Sequence, residues 1–498
     1  MPIEHVFVLM LENRSFDHLF GLSQRQATAI PQGSGFGQSA PDRCASDPPH
    51  EFDNVNKQVN GGAMNGFTAD PVQLTGFTAK QLPTLNELAS RYVLFDNWYS
   101  SVPGPTWPNR FFVHAATSGG LCTSPKGLRT AGAIIAAGQH FKFDNGTLFD
   151  LLDKANPGGD PSWRVYHGDV TPQCLSLPGA VEKYYNGQTY FRKFYPTQLP
   201  DGSLAYDGFA NDLLSSQGYT PKYTFIEPNY ALQSIATFDF TTGDSMHPCG
   251  LASAGDTLVR DIYTALSGST IWDSSILLVL WDEHGGFYDH VEPKSAIPPG
   301  DVEHNRDPGP EGAGFKFDQL GARVPAILIG PDVPQGIGSE VFPGAVFDHA
   351  SVVSTVRRIF NLGGPLTARD NNAPAFDTYP AVTVDSNTAS AALTSKAAKA
   401  ARVASMPATA AAKPASADVD GFAAGTALIA MHLDQAGSAL SGLPTIGDFT
   451  PKTVDDFHAA RDASISAGNF PEVVAKYVGD VSAKAATLKS AASTAKSP

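Results

Sequence analysis

Apolar runs punctuate the first two thirds of the chain, at 5–11, 92–95, 163–166, 223–226, 276–281 and 324–329, and polar residues or a Gly-Pro step follow each one. The fifth, Ile276-Leu277-Leu278-Val279-Leu280-Trp281, shows no polar alternation at all. Runs of this kind read as strands buried on both faces, as in a parallel sheet. Helical patterns lie between them, at 82–91, 148–154, 256–266 and 351–360. The alternation predicts an α/β fold, a doubly wound and mostly parallel sheet sandwiched by helices. Ligands bind such sheets beyond the carboxyl ends of the strands. Glu12-Asn13, His167, Glu227 and Asp282-Glu283 are therefore expected along one edge.

The pattern changes after about residue 385. An Ala/Ser/Lys-rich connector is expected at 386–416, followed by a helical C-terminal segment at 417–498. Residues 1–385 then form the catalytic α/β domain. No fixed-period repeat is present.

Composition narrows the function classes. Hydrophobic residues make up 42% of the 498, enough for a large core, and 47 Gly with 38 Pro imply long shaped loops. A net charge of −15 disfavours nucleic acid and anionic membrane as partners. No apolar run is long enough to cross a bilayer. The start of the chain lacks a basic leader pattern, so the protein is cytoplasmic, or secreted or periplasmic if a leader has been removed. Cysteines at 44, 122, 174 and 249 form no Cys-x-x-Cys, which argues against a thiolate zinc cluster and leaves two disulfides or four thiols open.

Glu12-Asn13 and Asp282-Glu283 each place two oxygen donors at a strand end. Converging carboxylates repel one another unless a cation neutralises them. Oxygen-only ligation favours one divalent ion of the Ca²⁺, Mg²⁺ or Mn²⁺ kind over zinc. Either dipeptide alone reads more simply as a cap or turn; the pairing reverses that. Thr106, in Gly104-Pro105-Thr106-Trp107-Pro108-Asn109-Arg110, stands at an expected helix N-terminus, where free N–H groups favour phosphate. Its hydroxyl is a candidate nucleophile, the competing reading being an ordinary N-cap threonine. Of 13 histidines, His50, His167 and His247 sit in suggestive places for proton transfer, though a loop histidine with a hydrogen bond is the commoner case. Gly33–Gly37 is read as a loop, not a nucleotide cradle.

Glu12-Asn13-Arg14-Ser15-Phe16-Asp17-His18 resembles the opening motif of the bacterial phospholipase C/acid phosphatase family. Matching segments follow in order: His50 with the 61–67 loop, Pro105 to Arg110, Phe225 to Pro228, Asp244 to Pro248, Trp281 to His290, Arg323-Val324-Pro325 and Asp348 to Ser351. The resemblance covers roughly residues 3–363. It implies an alkaline-phosphatase-like core and a metal held by Glu12, Asn13, Asp282 and Glu283. Thr106 is the implied nucleophile, His50, His167 and His247 line the phosphoryl pocket, and Asn109, Arg110 and Glu227 are assigned to substrate binding. The resulting reading is a metal-dependent phosphoric-ester hydrolase of phospholipase C type, whose substrate is a phosphoester such as a phospholipid headgroup. A broad acid phosphatase is the alternative, and a non-catalytic binding protein on the same fold the more remote one.

Overall fold

The computed structural model describes residues 2–23, 25, 27–124, 141–168, 173–177, 190–195, 208–215, 218–230, 243–306 and 309–379. The expected connector at 386–416 and helical segment at 417–498 lie outside them.

In chain order the strands are β1 (His5–Leu11), β2 (Gln38–Ser39), β3 (Thr75–Gly76), β4 (Val93–Phe95) and β5 (Trp163–His167). They continue with β6 (Phe191–Lys193), β7 (Tyr223–Glu227), β8 (Ser275–Trp281), β9 (Ala326–Ile329) and β10 (Gly336–Ile337). Eight of them form one sheet in the order β10-β4-β9-β8-β1-β7-β5-β6. Every residue of β1 and β8 is buried, as strands with apolar side chains on both faces require. β1 runs parallel to β7 on one side and β8 on the other, with Leu11 opposite Trp281. The sheet is mostly parallel: β9 alone runs against its neighbours β8 and β4. Its expected start at Val324 shortens to Ala326. Pro325 carries no N–H for the ladder, so pairing begins only after it.

Helices of the expected kind cover this sheet. Pro83–Ala89, Leu148–Ala155, Ala252–Ser267 and Ala350–Phe360 match the expected patterns within a few residues. Two caps show how they are anchored. Thr147 and Asp150 close a capping box at the start of Leu148–Ala155. The N-cap of Pro83–Ala89 is Leu82, which has no acceptor, and Asp256 from a neighbouring helix supplies one by accepting from Thr84 N and Leu85 N at 3.1 and 2.8 Å. The helix Thr106–Ala115 is buried on all sides and packs against Ala350–Phe360.

The consequence for function is an edge. Glu12 follows β1, Asp282 follows β8, and Glu227 and His167 end β7 and β5. All four strands run parallel, so these residues emerge on the same side of the sheet. All four cysteines are free thiols. Among the described residues no helix is long and apolar enough to cross a membrane.

Candidate active site

Because Leu11 and Trp281 are register partners, Glu12 and Asp282 leave the sheet side by side. Asp282 ties the two turns together. Its Oδ1 accepts from Asn13 N at 2.9 Å and Glu283 N at 2.7 Å, and its Oδ2 accepts from Arg110 Nε at 3.1 Å. Asn13 sits in the left-handed region at φ 53°, a conformation Asn tolerates better than most residues. Gly285, at φ 63°, is required here: a Cβ would collide with the Asn13 carbonyl. The close approach of the two turns thus explains why glycine stands at 285, just after the acids.

Glu12, Asp282 and Glu283 are fully buried. Neither carboxylate oxygen of Glu12 has a hydrogen bond of ordinary geometry, the Ser245 hydroxyl being its neighbouring donor, and Glu283 Oε1 has no hydrogen bond either. Burial pushes the Glu12 pKa up to about 8, with Arg110 and His247 pulling it down and Asp282 adding to the rise. Asp282 rises to about 6, again by burial, against the pull of Arg110. Burial also pushes on Glu283, but His50 and His284 outweigh it and its pKa falls below the ordinary range. Burial opposes the Arg110 charge, yet Tyr230, Asp282, Glu12 and Glu227 together hold it protonated. Glu12 and Glu283 thus keep unpartnered oxygens beside Asp282, an oxygen-rich set whose chemistry is compatible with a hard divalent ion.

Thr106 is the first residue of its helix, and the cap position belongs to Pro105, which has no side-chain acceptor. The Thr106 hydroxyl instead donates to Asn13 Oδ1 at 3.3 Å. The N-cap explanation for this threonine therefore does not hold. Asn13 Nδ2 lies 3.3 Å from His50 Nε2, which is 3.8 Å from Glu283 Oε1. His50 Nδ1 lies 2.6 Å from the Pro48 carbonyl. Burial works against its charge, but Glu283, Asp47 and Glu51 raise its pKa to about 9. Asp47 then joins two histidines: Oδ1 is 3.7 Å from His50 Nδ1 and Oδ2 is 3.7 Å from His247 Nε2. Thr106, Asn13, Glu283, His50 and His247 are in this way one connected group.

The remaining candidates are placed otherwise. Asn109 holds the turn ahead of its own helix: Oδ1 accepts from Val102 N at 2.9 Å and Nδ2 donates to the Val102, Gly104 and Pro105 carbonyls. Arg110 spans Asp282 and the Met10 and Leu11 carbonyls. Glu227 accepts from Gln173 N and Cys174 N at 2.7 and 2.9 Å, fixing a short helical turn. His167 pairs in register with Glu227, two strands from β1. Sequence reading passed over Asp47 and His349. The latter's Nε2 is 2.6 Å from the Asp282 carbonyl. Asp47 had a visible signal, the Asp47-Pro48-Pro49-His50 spacing; His349 had only its place in a motif.

A second acidic group lies close by in sequence. Among the described residues, ligand atoms of Asp17, Asp289 and His290 lie within 4.8 Å of one another. Arg323 occupies this group, donating to Asp289 Oδ1 at 2.9 Å and Asp17 Oδ1 at 3.1 Å.

The family model described as the Phosphoesterase family matches residues 3–363. Non-specific phospholipase C3 of Arabidopsis thaliana is 31% identical over 427 residues, covering 76% of this chain and 73% of its own. Phospholipase C A of Mycobacterium tuberculosis is 26% identical over 417 residues, covering 73% of this chain and 74% of its own. A solved protein of the alkaline phosphatase superfamily from Vibrio parahaemolyticus is 12% identical, covers 76% of this chain and 71% of its own, and superposes with a TM-score of 0.37. That likeness is too distant to add to the strand order.

Proposed function

This chain belongs to the Phosphoesterase family and hydrolyses phosphoric esters, and we propose that it cuts phosphodiesters in the manner of a phospholipase C, with Thr106 Oγ as nucleophile. One observation carries the reading. The hydroxyl of the first helical residue bonds to Asn13 beside buried carboxylates with unpartnered oxygens, instead of capping its helix.

A substrate phosphoryl group would meet the N-terminus of Thr106–Ala115, where the dipole favours negative charge. Thr106 Oγ attacks phosphorus, its proton passes to solvent water as the new P–O bond forms, and the bond to the leaving alcohol breaks. His247 protonates the leaving oxygen. His50, held charged by its acidic neighbours, faces the negative charge that develops on the phosphoryl oxygens. Water then attacks the phosphothreonine and releases the phosphorylated headgroup. A divalent ion on Glu12, Asn13, Asp282 and Glu283 would supply Lewis-acid charge and lower the effective pKa of the Thr106 hydroxyl.

The choice of a diester rests on charge. A phosphomonoester dianion calls for extra cations at the site. Among the described residues the motif arginines are engaged inward: Arg14 with the Met246 carbonyl, Arg110 with Asp282, and Arg323 with Asp17 and Asp289. The test compares p-nitrophenyl phosphorylcholine with p-nitrophenyl phosphate in the wild type, Thr106→Val and Thr106→Ser. We expect at least about tenfold higher kcat/KM on the diester, and a Thr106→Val loss on the order of 10³-fold or more with Ser retaining measurable turnover. A monoester preference overturns the substrate half. A Val variant near the wild-type rate overturns the nucleophile.

A further inference from the structure

Cys44 and Cys249 take no part in this chemistry, yet they stand on the two loops that deliver its histidines, Cys44 ahead of His50 and Cys249 just after His247. The loops are stitched to each other. Cys44 N donates to the Pro248 carbonyl at 2.9 Å, and Ala252 N donates to the Asp42 carbonyl at 3.0 Å. The Asp42 carboxylate accepts from Ser253 N at 2.8 Å and Ser253 Oγ at 2.6 Å. The first of these bonds sets Cys44 against the peptide that joins Pro248 to Cys249. A disulfide needs Cα atoms about 4.4–6.8 Å apart, a span within reach of two backbones joined by a direct hydrogen bond.

Both thiols also share one buried cation. Arg14 interacts electrostatically with Cys44 and with Cys249, and its Nε is fixed by the Met246 carbonyl at 2.8 Å. The two cysteines also sense each other; burial pushes the Cys44 thiol up and Arg14 opposes that rise. Cys44 is buried, while Cys249 is partly open to solvent. The other two thiols are held elsewhere: Cys122 faces the Gly120 and Gly312 carbonyls, and Cys174 lies beside Glu227.

We propose that Cys44 and Cys249 are a redox pair, closing under oxidising conditions to a disulfide that staples the loop of His50 to the loop of His247. The oxidant is a small-molecule disulfide such as oxidised glutathione. The Cys249 thiolate attacks one of its sulfurs and expels a thiolate, leaving a mixed disulfide. The Cys44 thiolate then attacks Cys249 Sγ and expels the second thiolate. The two protein thiols lose two electrons to the oxidant, and their two protons end on the expelled thiolates.

The test uses the full chain, fully reduced, then exposed to oxidised glutathione and assayed for thiols under denaturing conditions. The count should fall from four to two, and a non-reducing peptide map should show a single link between residues 44 and 249. A Cys122→Ser/Cys174→Ser double variant should lose both of its remaining thiols. Cys249→Ser should form no link at Cys44. Four surviving thiols, a link to Cys122 or Cys174, or a glutathione adduct on Cys249 with Cys44 still free would each overturn the proposal. The readout is independent of turnover, so it stands or falls apart from the substrate assignment.

Discussion

Two groups of buried acids flank the same two motifs and differ in one respect. Asp17 and Asp289 enclose Arg323, whose guanidinium bonds to both, and His290 adds a 2.7 Å contact to Asp17. Glu12, Asp282 and Glu283 have one arginine, Arg110, which is fixed to Asp282, and the neighbouring histidines His50 and His284 at Glu283, and three of their oxygens are left without a hydrogen bond. The chain thus completes one group with its own cation and leaves the other short. The incomplete group is the one that touches Thr106, and under the proposed function a bound cation would complete it.

Breaking the incomplete group should have the largest effect. Asp282→Ala removes the acceptor that ties Asn13, Glu283 and Arg110 together, and turnover should fall about 10³-fold or more while the melting curve stays cooperative. Turnover within tenfold of wild type would erase the functional difference between the groups.

Breaking the complete group should act on stability instead. Arg323→Met leaves Asp17 and Asp289 buried without their cation, a loss of about 3–5 kcal/mol in chemical denaturation. The folded fraction should still turn over substrate. A loss below about 1 kcal/mol would mean that Arg323 does not neutralise the pair.

The third effect is a pH dependence confined to metal-free protein. The folded pKa of Glu12 is raised to about 8, above its unfolded value. Its contribution is therefore fully present below about pH 4.5 and is lost as pH rises toward 8. In chelator, Glu12→Gln should flatten that decline, gaining stability relative to wild type as pH increases. A parallel offset at every pH would remove Glu12 as the source.

The smallest effect concerns Asp47, which stands between His50 and His247 at 3.7 Å from each. Asp47→Asn should lower kcat about tenfold with KM little changed, and Asp47→Glu should restore part of the loss. A change confined to KM would place Asp47 in substrate binding.

Much of the frame was legible in the chain. β1 and β8 announce themselves because a strand buried on both faces needs no polar alternation, and their polar ends locate the edge. Direction was not legible in β9, since an apolar run carries no sign of which way its neighbour runs. Thr106 was legible as a helix start, but its release from capping depends on Pro105 taking the cap. Asn109 and Glu227 sit in motifs, yet what their side chains bond is set by the loops around them. Arg323 gained its meaning only in three dimensions, because Asp17 and Asp289 come from distant segments, and of the two histidines beside Asp47 only His50 was near enough in the chain to suggest itself.

The most direct measurement is the metal content of the purified full chain after dialysis against metal-free buffer, wild type beside Glu12→Ala and Asp289→Ala. One divalent ion per wild-type chain is expected, none on Glu12→Ala and one still bound to the folded Asp289→Ala. A wild type without metal, or an ion lost from Asp289→Ala and kept by Glu12→Ala, would contradict that expectation.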